Sequence, residues 1–164
     1  MGVNNQQLWQ EGVTAVTLTP SVDLGTRRTV DGNEYLYCYN GATVADKALI
    51  VRPLTANDTG YTFTVTTVAD SLQPVMGVVS EQTCVAAGYA WVQTKGKAKG
   101  VLGGTVTYSV AGPLVCPPVI QGVDGVIDCP TGGTGTTGEI IGYLTTAVSD
   151  NTGLSVSVYI NTGY

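Results

Sequence analysis

The sequence predicts an all-β protein: a β-sandwich or β-barrel of short antiparallel strands with Gly/Thr-rich loops and an extended N-terminal arm. Three observations carry this. The chain of 164 residues holds 24 threonines and 24 valines but only 11 leucines, and β-branched side chains, stiff at χ1, suit a pleated surface better than a helix. Its 22 glycines crowd between short apolar runs, which is the punctuation of many tight turns. Several of those runs alternate apolar and polar residues with the period of two that strands require.

The elements follow in order. Residues 1–12 are polar at Asn4, Asn5, Gln6 and Gln7 around an apolar pair, Leu8-Trp9. They read as an arm outside the domain of residues 13–164, either frayed with the tryptophan folded back or reaching a partner. Residues 13–19 alternate. Residues 35–39 place Tyr35, Tyr37 and Tyr39 on one face and Leu36 and Cys38 on the other. Packing of these tyrosines in a core is the commoner explanation, and an exposed aromatic platform is the other. Residues 48–52 form a short apolar run stopped by Pro53. The cluster Asn57-Asp58-Thr59-Gly60 makes a turn. Residues 61–67 put Tyr61, Phe63 and Val65 on one face and threonines on the other. Strands follow at 75–79, 89–94 and 105–110, then a strand pair around 121–125, a Gly/Thr loop and two final strands. The last, over 154–160, sets Leu154, Val156, Val158 and Ile160 against Ser155, Ser157 and Tyr159. A turn of helix fits only at 46–50 or 139–148.

A faint repeat runs through this pattern. Met76-Gly77-Val78-Val79 and Ile141-Gly142-Tyr143-Leu144 stand 65 residues apart, as do Gly88 and Gly153. It suggests two similar hairpin-like units, against a background in which glycine is common enough to coincide by chance.

Composition bears on function mainly by exclusion. There is no histidine, so no Ser-His-Asp or Cys-His catalytic site and no histidine-ligated zinc can be built from this chain. With a net charge of −5 and seven cationic residues, a large basic face for nucleic acid is not expected. No run of 18 apolar residues is present, so no spanning helix and no membrane partner are expected. The N-terminus lacks the basic and apolar regions of a secretory signal, which points to synthesis in a cytoplasm.

The motifs that could carry chemistry have bland readings beside sharp ones. Residues 133–138 fit GxGxxG, but no helix-forming stretch or Walker lysine follows, so they read as a Gly/Thr loop. Asp23, Asp31, Glu34, Asp124 and Asp128 lie in turn-rich segments and read as turn or surface carboxylates, with no pair marked out for glycoside hydrolysis. Neither a cofactor nor a metal site is expected. Cys38, Cys84, Cys116 and Cys129 have no CxxC spacing and read as buried thiols in a reducing compartment. Cys116 and Cys129 are the candidate disulfide: a hairpin centred on Gly122-Val123 would oppose their sulfurs, whereas an Asp124-Gly125 turn would take them out of register. Lys95, Lys97 and Lys99 alternate, so a strand would display them on one face. With Arg27 and Arg28 they account for five of the seven cations. They read either as a patch for an acidic partner or as a solvated edge strand guarded by lysine.

One resemblance adds to this. Gly77-Val78-Val79 through Ala86-Ala87-Gly88-Tyr89-Ala90-Trp91-Val92-Gln93-Thr94-Lys95-Gly96, together with Ile141-Gly142-Tyr143-Leu144 and the terminal alternating strand, resembles the capsid decoration, or cement, proteins of tailed bacteriophages. The likeness covers residues 75–110 and 139–160. It does not include the proline-rich stretch 112–118 or the cysteines. It implies a β-barrel or sandwich, often a homotrimer, without enzymatic activity, made in the host cytoplasm. Such a protein binds the major capsid protein on the outer surface of the virion and clamps neighbouring capsomers. The residues then expected to touch the capsid are Leu8, Trp9, Arg27, Arg28, Lys95, Lys97 and Lys99. The alternative is a glycan- or host-surface-binding β-module of a phage tail or surface appendage, using exposed tyrosines. A carboxylate-dependent hydrolase is a third and more remote reading.

Overall fold

The structure is a computed structural model, and it describes residues 12–41, 44–46, 50–54, 61–65, 75–79, 82–101, 118–121, 127–128, 140–145 and 155–164. Among these, all regular structure is β, as the composition predicts. The strands are β1 (Val16–Thr17), β2 (Arg27–Val30), β3 (Asn33–Asn40), β4 (Ile50–Pro53), β5 (Thr62–Val65), β6 (Gly77–Val79), β7 (Tyr89–Val101), β8 (Pro118–Gln121), β9 (Ile127–Asp128), β10 (Ile140–Leu144) and β11 (Ser155–Asn161). Where a turn of helix was an option at 139–148, the described residues form β10.

Pairing closes five of these strands into a ring. β3 runs parallel to β5, and β5–β4, β4–β6, β6–β7 and β7–β3 are all antiparallel. The single parallel pair departs from the all-antiparallel expectation. Each ring strand gives alternate residues to one buried cluster: Leu36 and Cys38 from β3, Val51 from β4, Phe63 from β5, Val79 from β6, Ala90 and Val92 from β7. The intervening residues are not left to water. Ile50 and Val78 join Ala98, Ile141, Leu144, Val158 and Ile160 in a second cluster. Tyr35, Tyr37 and Trp91 form a third, covered by Val13, Val22 and Val30. Burial on both faces explains why β6 is a continuous apolar run rather than an alternating one, and it extends to every residue of β4, Arg52 included.

β7 is the spine of the molecule. Sequence reading ends this strand at Thr94 because glycines follow, but it continues to Val101, thirteen residues in all. β3 lies along one edge. Along the other, β1, β6 and β11 succeed one another: Ala90 pairs with both Cys38 and Val16, Val92 with Leu36 and Val79, and Lys95 with Glu34 and Asn161. The strand passes from ring to outer sheet at a bulge, where the register with β3 shifts between Glu34 and Tyr35. Gly96 sits just beyond it at φ 104, a conformation open to glycine at little cost, and a β-carbon there would strike Asn33. The Gln93 side chain spans the bulge, donating from Nε2 to the carbonyl oxygens of Lys95 and Lys97 at 3.3 and 2.8 Å. Thr162 ties β11 to the ring, its hydroxyl donating to Met76 O at 2.8 Å.

The repeat has a structural counterpart. β6 pairs with β7 and β10 with β11, both antiparallel. In each, the repeated glycine lies against the partner backbone: a β-carbon on Gly77 would meet the carbonyl oxygen of Gln93, and one on Gly142 that of Tyr159. The glycines are therefore required by close strand approach, at equivalent places in two hairpin-like units.

Candidate functional site

Beyond the bulge, β7, β11, β10, β8 and β9 form an antiparallel outer sheet. Its inner face, carrying Ala98, Val158, Ile160 and Leu144, packs on Ile50 and Val78 of the ring. Alternation then dictates what faces outward: Lys97 and Lys99 from β7, Ser157 and Tyr159 from β11, Tyr143 from β10. Cross-strand register sets these in rows. Lys97 stands opposite Tyr159, which stands opposite Tyr143, and Lys99 stands opposite Ser157. Tyr143 is 50% and Tyr159 41% exposed, a large apolar area to leave in water on a packed strand pair.

The three lysines differ in their surroundings. Lys95, at the bulge, makes an ion pair with Glu34 at 3.1 Å, and that carboxylate holds its ammonium above the ordinary lysine range. Lys99 Nζ donates to Ser157 Oγ at 3.0 Å. Lys97 is exposed, and its ammonium meets no carboxylate among the described residues. The arginines do not extend this patch. They point to opposite faces of β2: Arg27 Nη1 donates to Tyr164 O at 2.8 Å, and the Arg28 guanidinium lies 5.9 Å from the centre of the Trp91 ring. Both are thus engaged in holding the fold. Leu8 and Trp9, like Cys116 and Cys129, lie outside the described residues.

The described part of the β8–β9 hairpin pairs Ile120 with Asp128 and Gln121 with Ile127. The residues between these two strands, like the cysteines that flank them, lie outside the described residues.

The tyrosines singled out in β3 take the core reading. Tyr37 is 1% exposed, and its ring centroid is 5.1 Å from that of Trp91. Its hydroxyl receives the Ser21 backbone N–H at 3.2 Å and the Ser21 hydroxyl at 3.1 Å, and contacts Thr17 Oγ1 at 3.2 Å. Tyr35 is buried too, and Tyr39 packs on Tyr89 with centroids 5.1 Å apart. The exposed pair is instead Tyr143 and Tyr159, which sequence reasoning does not single out as a site. The available signal was the position of Tyr159 on the polar side of the last alternating strand.

Cys38 and Cys84 are buried free thiols inside the ring. Burial pushes Cys84 up to about 11 and raises Cys38 further, so neither is a nucleophile near neutral pH. Among the described residues no group of three or more Cys, Asp or Glu could hold a metal ion. No protein-family model, curated protein or solved structure matches the chain.

Proposed function

We propose that this chain is a structural virion protein of a tailed phage, binding the major capsid protein on the outer surface of the shell and clamping neighbouring capsomers as a homotrimer. In this reading it is not an enzyme and has no nucleic-acid or membrane partner. One observation carries the reading. The two segments that resemble decoration proteins, residues 75–110 and 139–160, are far apart in sequence yet supply β6, β7, β10 and β11, which pair into one unit. A resemblance that maps onto a single contiguous piece of architecture is more telling than one scattered over the surface. That unit also carries the outward lysines. Many weak copies of one contact, repeated over a symmetric shell, stabilise it without a strong individual site.

The test is to add the protein to capsids stripped of their decoration and heat them. The expected result is a higher capsid melting temperature, with a trimer in light scattering. Unchanged capsid melting would sink the proposal. The glycan- or host-surface-binding alternative is favoured by the exposed Tyr143 and Tyr159, since sugar rings stack on aromatic faces. Binding on a glycan array without any effect on capsids would establish it instead.

A further inference from the structure

We infer that the outward face of β7, β11 and β10 grips its partner through carboxylates, and that the partner presents an acidic polypeptide segment in extended form. This deepens the capsid reading and rests on it. Charge is the first argument. In a chain of net charge −5, three of seven cations stand on one strand, and Lys97 meets no carboxylate on its own molecule among the described residues. Among the described residues Lys99 is held by the neutral Ser157 hydroxyl, which a carboxylate can displace or share.

Spacing is the second argument. Lys97 and Lys99 are two residues apart on an extended strand, about 7 Å at the usual rise. An extended partner segment repeats its own side chains on one face at that interval, so carboxylates at alternate positions meet both ammonium groups. Tyr159 and Tyr143 continue the Lys97 row over the next two strands, a further span of about 10 Å at ordinary strand spacing. Lying across the strands, at right angles to such a segment, they give the partner surface beside it a broad, rigid contact at low cost in side-chain entropy. Lys95, neutralised by Glu34, and Arg27 and Arg28, engaged within the fold, take no part.

The experiment uses the full chain and two probes, immobilised poly-L-glutamate and stripped capsids, each at low and high salt. The expected result is binding to polyglutamate that weakens with salt, despite the like net charge of the two partners. Lys97→Glu should weaken both interactions about tenfold or more, about 1.4 kcal/mol per decade, because the charge reversal replaces an attraction by a repulsion. Lys95→Gln and Arg27→Gln should change them by less than about twofold. Tyr143→Ser combined with Tyr159→Ser should weaken capsid binding while leaving its salt dependence unchanged. All five side chains lie at least partly in solvent, and thermal melts of each variant verify the fold. Failure of the wild-type chain to bind polyglutamate overturns the inference, as does equal loss from Lys97→Glu and Lys95→Gln. Binding to a polyuronate but not to polyglutamate assigns the face to acidic sugars and also overturns it. Polyglutamate binding without capsid binding overturns the capsid reading alone. Capsid binding that is indifferent to Lys97→Glu overturns this inference alone.

Discussion

Asn40 is the buried polar residue on which the turn leading into β7 depends. Its side chain is inaccessible to solvent, and Nδ2 donates to the carbonyl oxygens of Cys84 and Val85 at 3.2 and 3.1 Å. Its backbone N–H donates to Gly88 O at 2.8 Å, and its carbonyl receives Ala87 N–H at 3.0 Å. Ala87 is held at φ 57, a conformation a non-glycine residue adopts only under constraint. Replacing Asn40 with leucine keeps the branching at Cγ, adds some bulk in its methyl groups, and deletes both donations. The two carbonyls are not orphaned, because Cys84 O also accepts Ala45 N–H and Val85 O accepts Gly88 N–H. The cost therefore lies near the net worth of two hydrogen bonds, about 2–3 kcal/mol, or a drop of about 5–10 °C in Tm for a domain of this size. Asn40→Asp points a carboxylate at two carbonyl oxygens in a dry site, so the folded state raises that carboxyl's pKa above its ordinary value. A raised carboxyl carries no charge penalty below the unfolded value of about 3.9 and loses stability progressively as pH rises toward the folded value. Asn40→Asp should thus be close to Asn40→Leu in acid and clearly worse at neutral pH. Urea unfolding followed by circular dichroism at several pH values reads both effects. A loss under about 0.5 kcal/mol for Asn40→Leu, or no pH-dependent gap between the two variants, refutes the clamp.

Two further perturbations test the packing. Gly77→Ala and Gly142→Ala each place a methyl against a partner-strand carbonyl, which cannot rotate away, so each should cost about 1–3 kcal/mol in denaturant titrations. Gly32→Ala has open space around it at φ 79 and should cost only the left-handed strain, about 1–2 kcal/mol; equal tolerance at all three sites would contradict the close approach. For the thiols, burial raises Cys84 from 9.0 to about 11. Its contribution to stability is complete below pH 9 and is lost as pH rises toward 11. Cys84→Ala should flatten that alkaline decline, and wild-type and variant curves of identical shape between pH 8 and 11 would rule the linkage out.

Much of the fold was legible because period and composition are local signals. The alternation at 35–39 and 154–160 placed β3 and β11, and the excess of valine and threonine over leucine pointed to low helix content. What was not legible depends on distant parts of the chain. Gly96 and Gly100 look like loop residues in sequence, yet both lie within β7; at Gly96, Asn33 fills the space a β-carbon would take and the Gln93 amide caps the bulge. The parallel β3–β5 pair leaves no mark on either strand's pattern. At the site, spacing alone announced the lysine row, but it could not tell that Glu34 would neutralise Lys95, or that Tyr164 and Trp91 would occupy Arg27 and Arg28. Those are tertiary contacts between segments about 60 to 140 residues apart.

The same geometry is compatible with the gripping role proposed for the outer sheet. Its strands are fixed from behind by an apolar cluster shared with the ring, and Thr162 bonds Met76 O and Thr94 O to lock the junction. Its outward side chains therefore stand on a surface that pays little ordering entropy when a partner arrives. A single Lys97 contact is weak in water, which under the proposed capsid reading is offset by attachment in many copies. Strength comes from number, and each copy has to be rigid enough for all its contacts to form together.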